Sequence, residues 1–229
     1  MNKTIIIPCF NEKNTILQVI KKVKENLIKG DQIIIVDDCS NDGTKELLQK
    51  IDDEEINIKY HSRNYGKGKA LNTALKEDLK DIVIIQDADL EYDPNDYKFL
   101  IEPFFKTNAE IVYGSRFLGS NRYIRLHFFW HSVANKLLTL FCNIVTNLNM
   151  TDMETGFKVF KLEAIKSINL KENSFGIEPE ITIKLAKKKF KFYEVAVSYR
   201  GRSYSEGKKI TLKDAFWAVY CILRYRFFD

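Results

Sequence analysis

Four short runs of mostly β-branched residues constrain this chain most. They are Thr4 to Ile7, Ile33 to Val36, Ile56 to Tyr60 and Ile82 to Gln86, and each is followed by a helix-like segment. Asn14 to Leu27 places Ile16, Val19, Ile20, Val23 and Leu27 at helical spacing. Asn41-Asp42-Gly43-Thr44 turns into a helix through Leu48, a third helix runs from about Lys67 to Leu79, and Pro94 opens a fourth toward Phe105. Apolar strands alternating with amphipathic helices predict an α/β fold with a parallel, doubly wound sheet. Ligands of such sheets bind beyond the carboxyl ends of the strands.

Polar residues gather where that rule puts a site. Asn11 and Glu12 follow the first strand, Asp37 and Asp38 end the second, and Asp87 and Asp89 end the fourth. Asp87 and Asp89 are spaced i, i+2, so an extended chain turns both to one side. Two hard carboxylates at one point suit Mg²⁺ or Mn²⁺, which bind through a few carboxylates plus substrate phosphates. Turn-forming acids that cap a strand end are the structural alternative.

Beyond a fifth strand at Ile111 to Tyr113 the pattern changes. Gly114-Ser115-Arg116 is a turn that presents a guanidinium. Tyr123 to Leu148 reads as a long helical region, aromatic at its start. A loop at Thr151 to Gly156, a strand near Phe157 to Phe160, a helix near Pro179 to Lys187, a strand from Lys191 to Val197 and a last helix from Leu212 to about Phe227 complete the chain. That last helix groups Leu212, Ala215, Phe216, Val219, Ile222 and Leu223 on one face. A length of 229 residues without a clear linker fits a single domain over 1–229.

Bulk properties exclude several classes. The four cysteines form no CxxC pair, so neither a zinc knuckle nor a disulfide framework is implied, and a reducing compartment suits them. The N-terminus lacks the apolar core of a secretory signal. No stretch has the ~18 apolar residues of a membrane span. The net charge is +5, and basic residues cluster between Lys184 and Lys209. A local cationic face implies a polyanionic partner: the phosphates of a nucleotide, an anionic lipid or a nucleic acid.

Five ordered motifs then carry a resemblance: Ile7-Pro8-Cys9-Phe10-Asn11-Glu12, Val36 to Thr44, Asn64-Tyr65-Gly66-Lys67-Gly68, Asp87-Ala88-Asp89 and Gly114-Ser115-Arg116. In this order and spacing the chain resembles a family 2 glycosyltransferase of the GT-A fold, close to the dolichyl- and polyprenyl-phosphate sugar synthases. The resemblance implies a mostly parallel, Rossmann-like sheet flanked by helices, with a nucleotide-sugar-binding half at 1–116 and an acceptor-side half with C-terminal helices at 117–229. It implies an inverting, metal-dependent transfer from a UDP- or GDP-sugar to a polyprenyl phosphate or a glycan precursor.

By the same resemblance Pro8, Phe10, Glu12, Val36 and Asp38 hold base and ribose, and Asp87, Ala88 and Asp89 meet the diphosphate. Asp87, Asp89 and Glu91 ligate Mg²⁺ or Mn²⁺; Glu91 stands where the lipid-phosphate branch often has Gln, and a surface acid is its alternative. Arg116, Arg202 and Lys208 meet phosphates, the last two from a basic loop that closes over the donor. Asp152, in Thr151-Asp152-Met153-Glu154-Thr155-Gly156-Phe157, matches an element that places an acid near the acceptor, where a carboxylate can take a hydroxyl proton; toward an acceptor phosphate, already ionised, it needs only to position groups. Asp89, Arg116 and Asp152 are thus the expected catalytic residues. Glu178 and Glu180 form a second carboxylate pair on the acceptor side; a basic residue around Glu178 is frequent in the lipid-phosphate branch, and Glu180 also reads as a helix N-terminal acid. His61, His127 and His131 read as polar residues at interfaces.

Two other classes share some of these features. A nucleotidyltransferase also joins Asp-held Mg²⁺ to a parallel sheet, but it needs a Gly-rich basic loop after the first strand, which Pro8 to Glu12 lacks. A nucleic-acid-binding module would use the basic, aromatic C-terminal third; no nucleic-acid partner is expected. The aromatic segment before the long helix and the last helix with Arg224, Tyr225, Arg226 and Phe227 suit a membrane surface. The expected location is cytoplasmic, on the inner face of a membrane or beside a membrane partner.

Overall fold

A computed structural model describes residues 1–119, 129–202 and 212–229. In chain order the elements are β1 (Lys3–Cys9), α1 (Ile16–Lys24), β2 (Gln32–Asp37), α2 (Thr44–Leu48), β3 (Ile56–Tyr60), α3 (Lys67–Ala74), β4 (Ile82–Ile85), α4 (Tyr97–Lys106), β5 (Ile111–Ser115), α5 (Phe129–Thr146), β6 (Lys158–Lys161), α6 (Leu162–Lys166), α7 (Ile177–Lys187), β7 (Phe192–Ala196) and α8 (Leu212–Phe227). A 3₁₀ turn, Pro94–Asp96, precedes α4 and is capped by the Asp93 side chain.

The strands form one seven-stranded sheet in the order β3-β2-β1-β4-β6-β5-β7. β1 pairs in parallel with β2 and β4, as do β2 with β3 and β5 with β7. β6 runs antiparallel to both β4 and β5, so the sheet is mostly, not wholly, parallel. The reason is local. β5 ends at Ser115, and the loop through Gly156 brings the chain back at that same edge, so β6 runs away from it. Tyr113 accordingly faces Lys158, and Ile111 faces Phe160.

The isoleucine runs explain why two layers of helices are needed. Period-two alternation sends Ile5, Ile7, Ile33, Ile35, Ile82 and Ile84 to one face, where they pack with Ile16, Val19, Val23 and Leu100 of α1 and α4. Ile6, Ile34, Val36, Val83 and Ile85 point the other way, onto Leu71 of α3, Ile181 of α7 and Ile222 of α8. α6 is a short helix that the sequence pattern did not separate from β6.

The last helix departs from its expected face. Ala218, Cys221, Ile222 and Tyr225 are buried, whereas Phe216 of the predicted stripe is 77% exposed. A helix apolar around most of its circumference offers two candidate faces, and packing onto α7 chose the one bearing Tyr225.

The polar side of this layer is held by Glu172. It accepts hydrogen bonds from Trp217 Nε1 (2.9 Å) and the Tyr225 hydroxyl (2.6 Å). Glu180, fully buried, accepts from the backbone N–H groups of Lys171 (2.8 Å) and Glu172 (2.7 Å) and pairs with Lys184 (2.7 Å). It is therefore the helix N-terminal acid and not a cleft residue. Gly68 of α3 lies against this same segment, and a Cβ there would sit 2.3 Å from the Glu172 carbonyl oxygen. Gly68→Ala is expected to destabilise the fold by about 1–3 kcal/mol although alanine favours helix. A lower urea midpoint checks this; an unchanged or higher midpoint contradicts the close approach.

Candidate active site

A cavity of about 470 Å³ opens at the carboxyl ends of β1, β2, β4 and β5. Two loops shape its floor with residues in the left-handed region: Asn11 (φ 53°) and Cys39 (φ 64°). Asn11 accepts from the Asn41 N–H (2.9 Å), and its own N–H donates to the Ser40 hydroxyl (2.9 Å), which fixes the β1 and β2 loops to each other. Asp37 serves that junction too, accepting from Ser40 N–H (3.2 Å), a structural role.

Asp38 is the hub of the β2 end. It accepts from the backbone N–H groups of Tyr65 (3.0 Å) and Gly66 (2.6 Å), and its Oδ1 lies 2.6 Å from His61 Nδ1. His61 Nε2 in turn meets the Thr73 hydroxyl at 2.8 Å. Gly66 has φ 100°, and a Cβ there would lie 2.4 Å from the Asn173 carbonyl oxygen, so this corner requires glycine. His61, expected as a polar residue at an interface, sits between the β2 end and α3, where it holds the Asp38 carboxylate at the cavity wall. Its position just after β3 was the signal available in the sequence.

At the end of β4 the carboxylates crowd. Arg202 reaches among them: Nη1 is 3.1 Å from Glu12 Oε2, Nη2 is 2.7 Å from Asp89, and Nε is 3.3 Å from Glu91. Glu91 also accepts from Arg202 N–H (2.8 Å) and the Tyr199 hydroxyl (2.6 Å). Burial, then the charges of Asp87 and Glu91, raises the Asp89 carboxyl far above its ordinary range; Arg202 opposes this. Asp87 pairs with Lys67 (2.8 Å), which also pairs with Glu178 (3.0 Å), and Glu178 with Lys158. Burial alone would raise the Glu178 carboxyl, yet the Lys158 and Lys67 ammonium groups hold it below the usual range. Gly156 is required here because a Cβ would lie 2.2 Å from Asp87 Oδ2.

These residues fit a divalent cation. No group of three His, Cys, Asp or Glu is placed to enclose a metal among the described residues. Asp87 and Asp89, with Glu91 beside them, instead form an open carboxylate edge of the kind Mg²⁺ or Mn²⁺ shares with phosphates. The Asp89 carboxyl is raised by burial first and by Asp87 and Glu91 next, so a cation beside it would relieve the second of these causes.

The expected residues Pro8, Phe10, Glu12, Asp38 and Ala88 line the cavity, as do the three β4-end carboxylates and the two arginines. Val36 does not: it is fully buried in the core beneath α3, so its side chain is held from a ligand. Lys208 and His127 lie outside the described residues. Asp152 is also absent from the lining and is fully buried. Its oxygens take Arg116 Nε (2.7 Å), Arg116 Nη2 (2.7 Å) and Asn135 Nδ2 (3.1 Å). Of the two roles expected of Asp152, this geometry suits positioning: the buried carboxylate anchors Arg116, and it does not suit taking a proton from an acceptor. The anchored Arg116 guanidinium lies 5.1 Å from the Tyr199 ring centre and stays charged, since Asp152 outweighs the burial that would lower its pKa.

Comparison with known proteins agrees with this architecture. The chain is 27% identical over 239 aligned positions, 96% of its length, to the UDP-N-acetylglucosamine–dolichyl-phosphate N-acetylglucosaminyltransferase of Methanococcus voltae, of which it covers 94%. It is 23% identical to the undecaprenyl-phosphate mannosyltransferase of Micrococcus luteus, covering 91% of this chain and 87% of that one. Its fold superposes on glucosyl-3-phosphoglycerate synthase of Mycobacterium tuberculosis, solved with Mn²⁺, UDP and phosphoglyceric acid, with a TM-score of 0.74 at 17% identity, over 100% of this chain and 79% of that one. Residues 4–168 match the family described as glycosyl transferase family 2, and the chain belongs to that family.

Proposed function

We propose that this glycosyltransferase moves a sugar from a nucleoside diphosphate sugar to the phosphate of a polyprenyl phosphate, with inversion and with Mg²⁺ or Mn²⁺. The observation that carries the reading is the β4 edge, where Glu12, Asp89 and Glu91 converge on the single Arg202 guanidinium inside the cleft. So much carboxylate at a strand end suits a site that receives a cation together with an anion. The relatives named for dolichyl- and undecaprenyl-phosphate transfer support the acceptor class. The nucleotidyltransferase alternative falls away with the family assignment.

Asp87 and Asp89, assisted by Glu91, would hold the cation, whose chemistry is to neutralise charge on the departing β-phosphate. The chain's own groups do the rest. Asp38 and the loops of Pro8 and Phe10 receive the nucleoside. Arg202, once drawn off the carboxylates, has a planar fork suited to the donor diphosphate. Arg116, oriented by Asp152, gives the acceptor phosphate a fixed positive partner. An acceptor phosphate oxygen attacks the sugar C1 while the bond from C1 to the diphosphate oxygen breaks, and the nucleoside diphosphate leaves. A phosphate is already ionised, so this step needs no protein base.

The membrane part of the reading rests on α5 and α8, which pack together. α5 exposes Trp130, Leu137, Leu140 and Ile144 at helical spacing, and α8 exposes Phe216, Tyr220, Leu223 and Phe227. Trp130 is 75% exposed, and Arg224 and Arg226 follow on the last turn of α8. No helix among the described residues is long and apolar enough to cross a membrane. An apolar face with flanking arginines suits the surface of an anionic bilayer, where the acceptor lipid resides.

Asp89→Ala is expected to lower sugar transfer from UDP- or GDP-sugars to a polyprenyl phosphate on the order of 10²-fold or more, with Mn²⁺ binding weakened in calorimetry. Wild-type turnover in excess chelator would sink the metal reading. Trp130→Ser with Phe216→Ser should reduce co-sedimentation with phosphatidylglycerol-containing vesicles on the order of ten-fold or more. Equal sedimentation of the double variant would remove these helices as the contact.

A further inference from the structure

The cleft contains one carboxylate with no part in the machinery above. Glu154 lines the cavity two residues beyond the buried Asp152. Its Oε1 is shut off from solvent and has no hydrogen-bond partner among the described residues. Such an orphaned acceptor is costly in a folded protein and calls for an explanation.

Its surroundings show what it faces. Glu178 of α7, Lys158 of β6, Arg116 beyond β5 and Asp152 of its own loop are the charged groups around it, and the Cys142 thiol of α5 also senses its charge. Glu154 thus lies between two closed systems: the Arg116–Asp152 pair and the chain Asp87–Lys67–Glu178–Lys158. Every other carboxylate in these two systems is claimed by a cation. Lys158 is committed to Glu178 and the Thr155 carbonyl, and Arg116 to Asp152.

We propose that Glu154 contacts the acceptor directly, its carboxyl group hydrogen-bonding an oxygen of the acceptor's phosphate beside Arg116. The proposal rests on the acceptor reading above and names the group that selects for a phosphate there. An ionised carboxylate would repel a phosphate, so Glu154 must act as the protonated acid, the donor in this bond. Burial, then Glu178, pushes its carboxyl up to about 7, with Lys158 and Arg116 pulling it back, so a proton is available near neutral pH. As pH rises through that value the donor is lost and a like charge replaces it. Acceptor binding then weakens through Glu154 itself. Asp152 supplies the orientation of Arg116, and Glu154 supplies the proton-bearing contact.

The test compares wild type, Glu154→Gln and Glu154→Leu with farnesyl phosphate as acceptor and a UDP- or GDP-sugar as donor, from pH 6 to 8.5. The glutamine keeps an N–H donor at every pH and preserves shape. The expected result is an acceptor KM that rises on the order of ten-fold above pH 7 in wild type but stays flat in Glu154→Gln, and is raised at all pH values in Glu154→Leu. Donor KM follows one pH course in all three proteins, because the raised Asp89 carboxyl is the same in each. The acceptor's own ionisation is likewise common to all three and cancels in the comparison. Parallel acceptor pH profiles for wild type and Glu154→Gln, or a donor KM that differs among the three proteins at one pH, overturn the proposal.

Calorimetric binding of farnesyl phosphate and of inorganic phosphate decides the matter without turnover. Weaker binding of farnesyl phosphate to Glu154→Leu than to wild type at pH 6.5 supports the contact even if no sugar is transferred, in which case the donor reading alone fails. Competition by inorganic phosphate in wild type but not in Glu154→Leu assigns the contact to the headgroup. Equal binding of farnesyl phosphate by all three proteins, or none by wild type, overturns it.

Discussion

Excess negative charge at the carboxyl edge of the sheet governs this structure. Glu12, Asp38, Asp87, Asp89 and Glu91 come from strand ends that the β-register brings side by side. Their repulsion is held in check by groups from the rest of the chain: Lys67 from the start of α3, and Arg202 from beyond β7. Each contact joins sequence-distant parts, Glu12 and Arg202 being 190 residues apart. Removing one partner of a buried pair strands the other charge, at a cost of about 3–5 kcal/mol. The ion pairs that shape the cleft therefore also fasten the C-terminal half to the sheet.

The strand-end part of this arrangement was legible in sequence, because local pattern fixes the position of its residues. Strand β4 must end near Ile85 because Asp87 and Asp89 cannot be buried between helices, and the acids follow at once. The loop after α5 was less legible. Asp152 and Glu154 are two acids in one loop, and nothing local tells which turns to the cleft. The decision is made by Arg116, whose fork fits Asp152 bidentately and draws it into the interior. The partner of His61 was illegible for a similar reason: Asp38 lies on another strand end, 23 residues away.

The sheet topology follows the same logic. Alternating strands and helices imply parallel pairing, and β1 to β4 comply. The exception, β6, starts beside Gly156, which must approach Asp87 closely. A strand that begins at the site edge can only run away from it, so it lies antiparallel between β4 and β5. Phe157, fully buried and ring-packed on Tyr92 and Tyr97, fixes that starting point. The antiparallel strand is thus a consequence of carrying the loop of Asp152 and Glu154 into the cleft.

Charge balance also orders how the cleft fills. With Arg202 among the β4-end carboxylates, the edge is partly neutralised by the protein itself. A diphosphate entering alone would meet uncompensated carboxylates, and a cation entering alone would have to displace a guanidinium bound on three sides. Under the proposed function, a cation and a diphosphate arriving together would exchange partners: the carboxylates would pass from Arg202 to the cation, and Arg202 to the phosphates. The Glu12–Arg202–Glu91 contacts would then oppose a half-loaded site and yield to a fully loaded one, coupling the two binding events through one side chain.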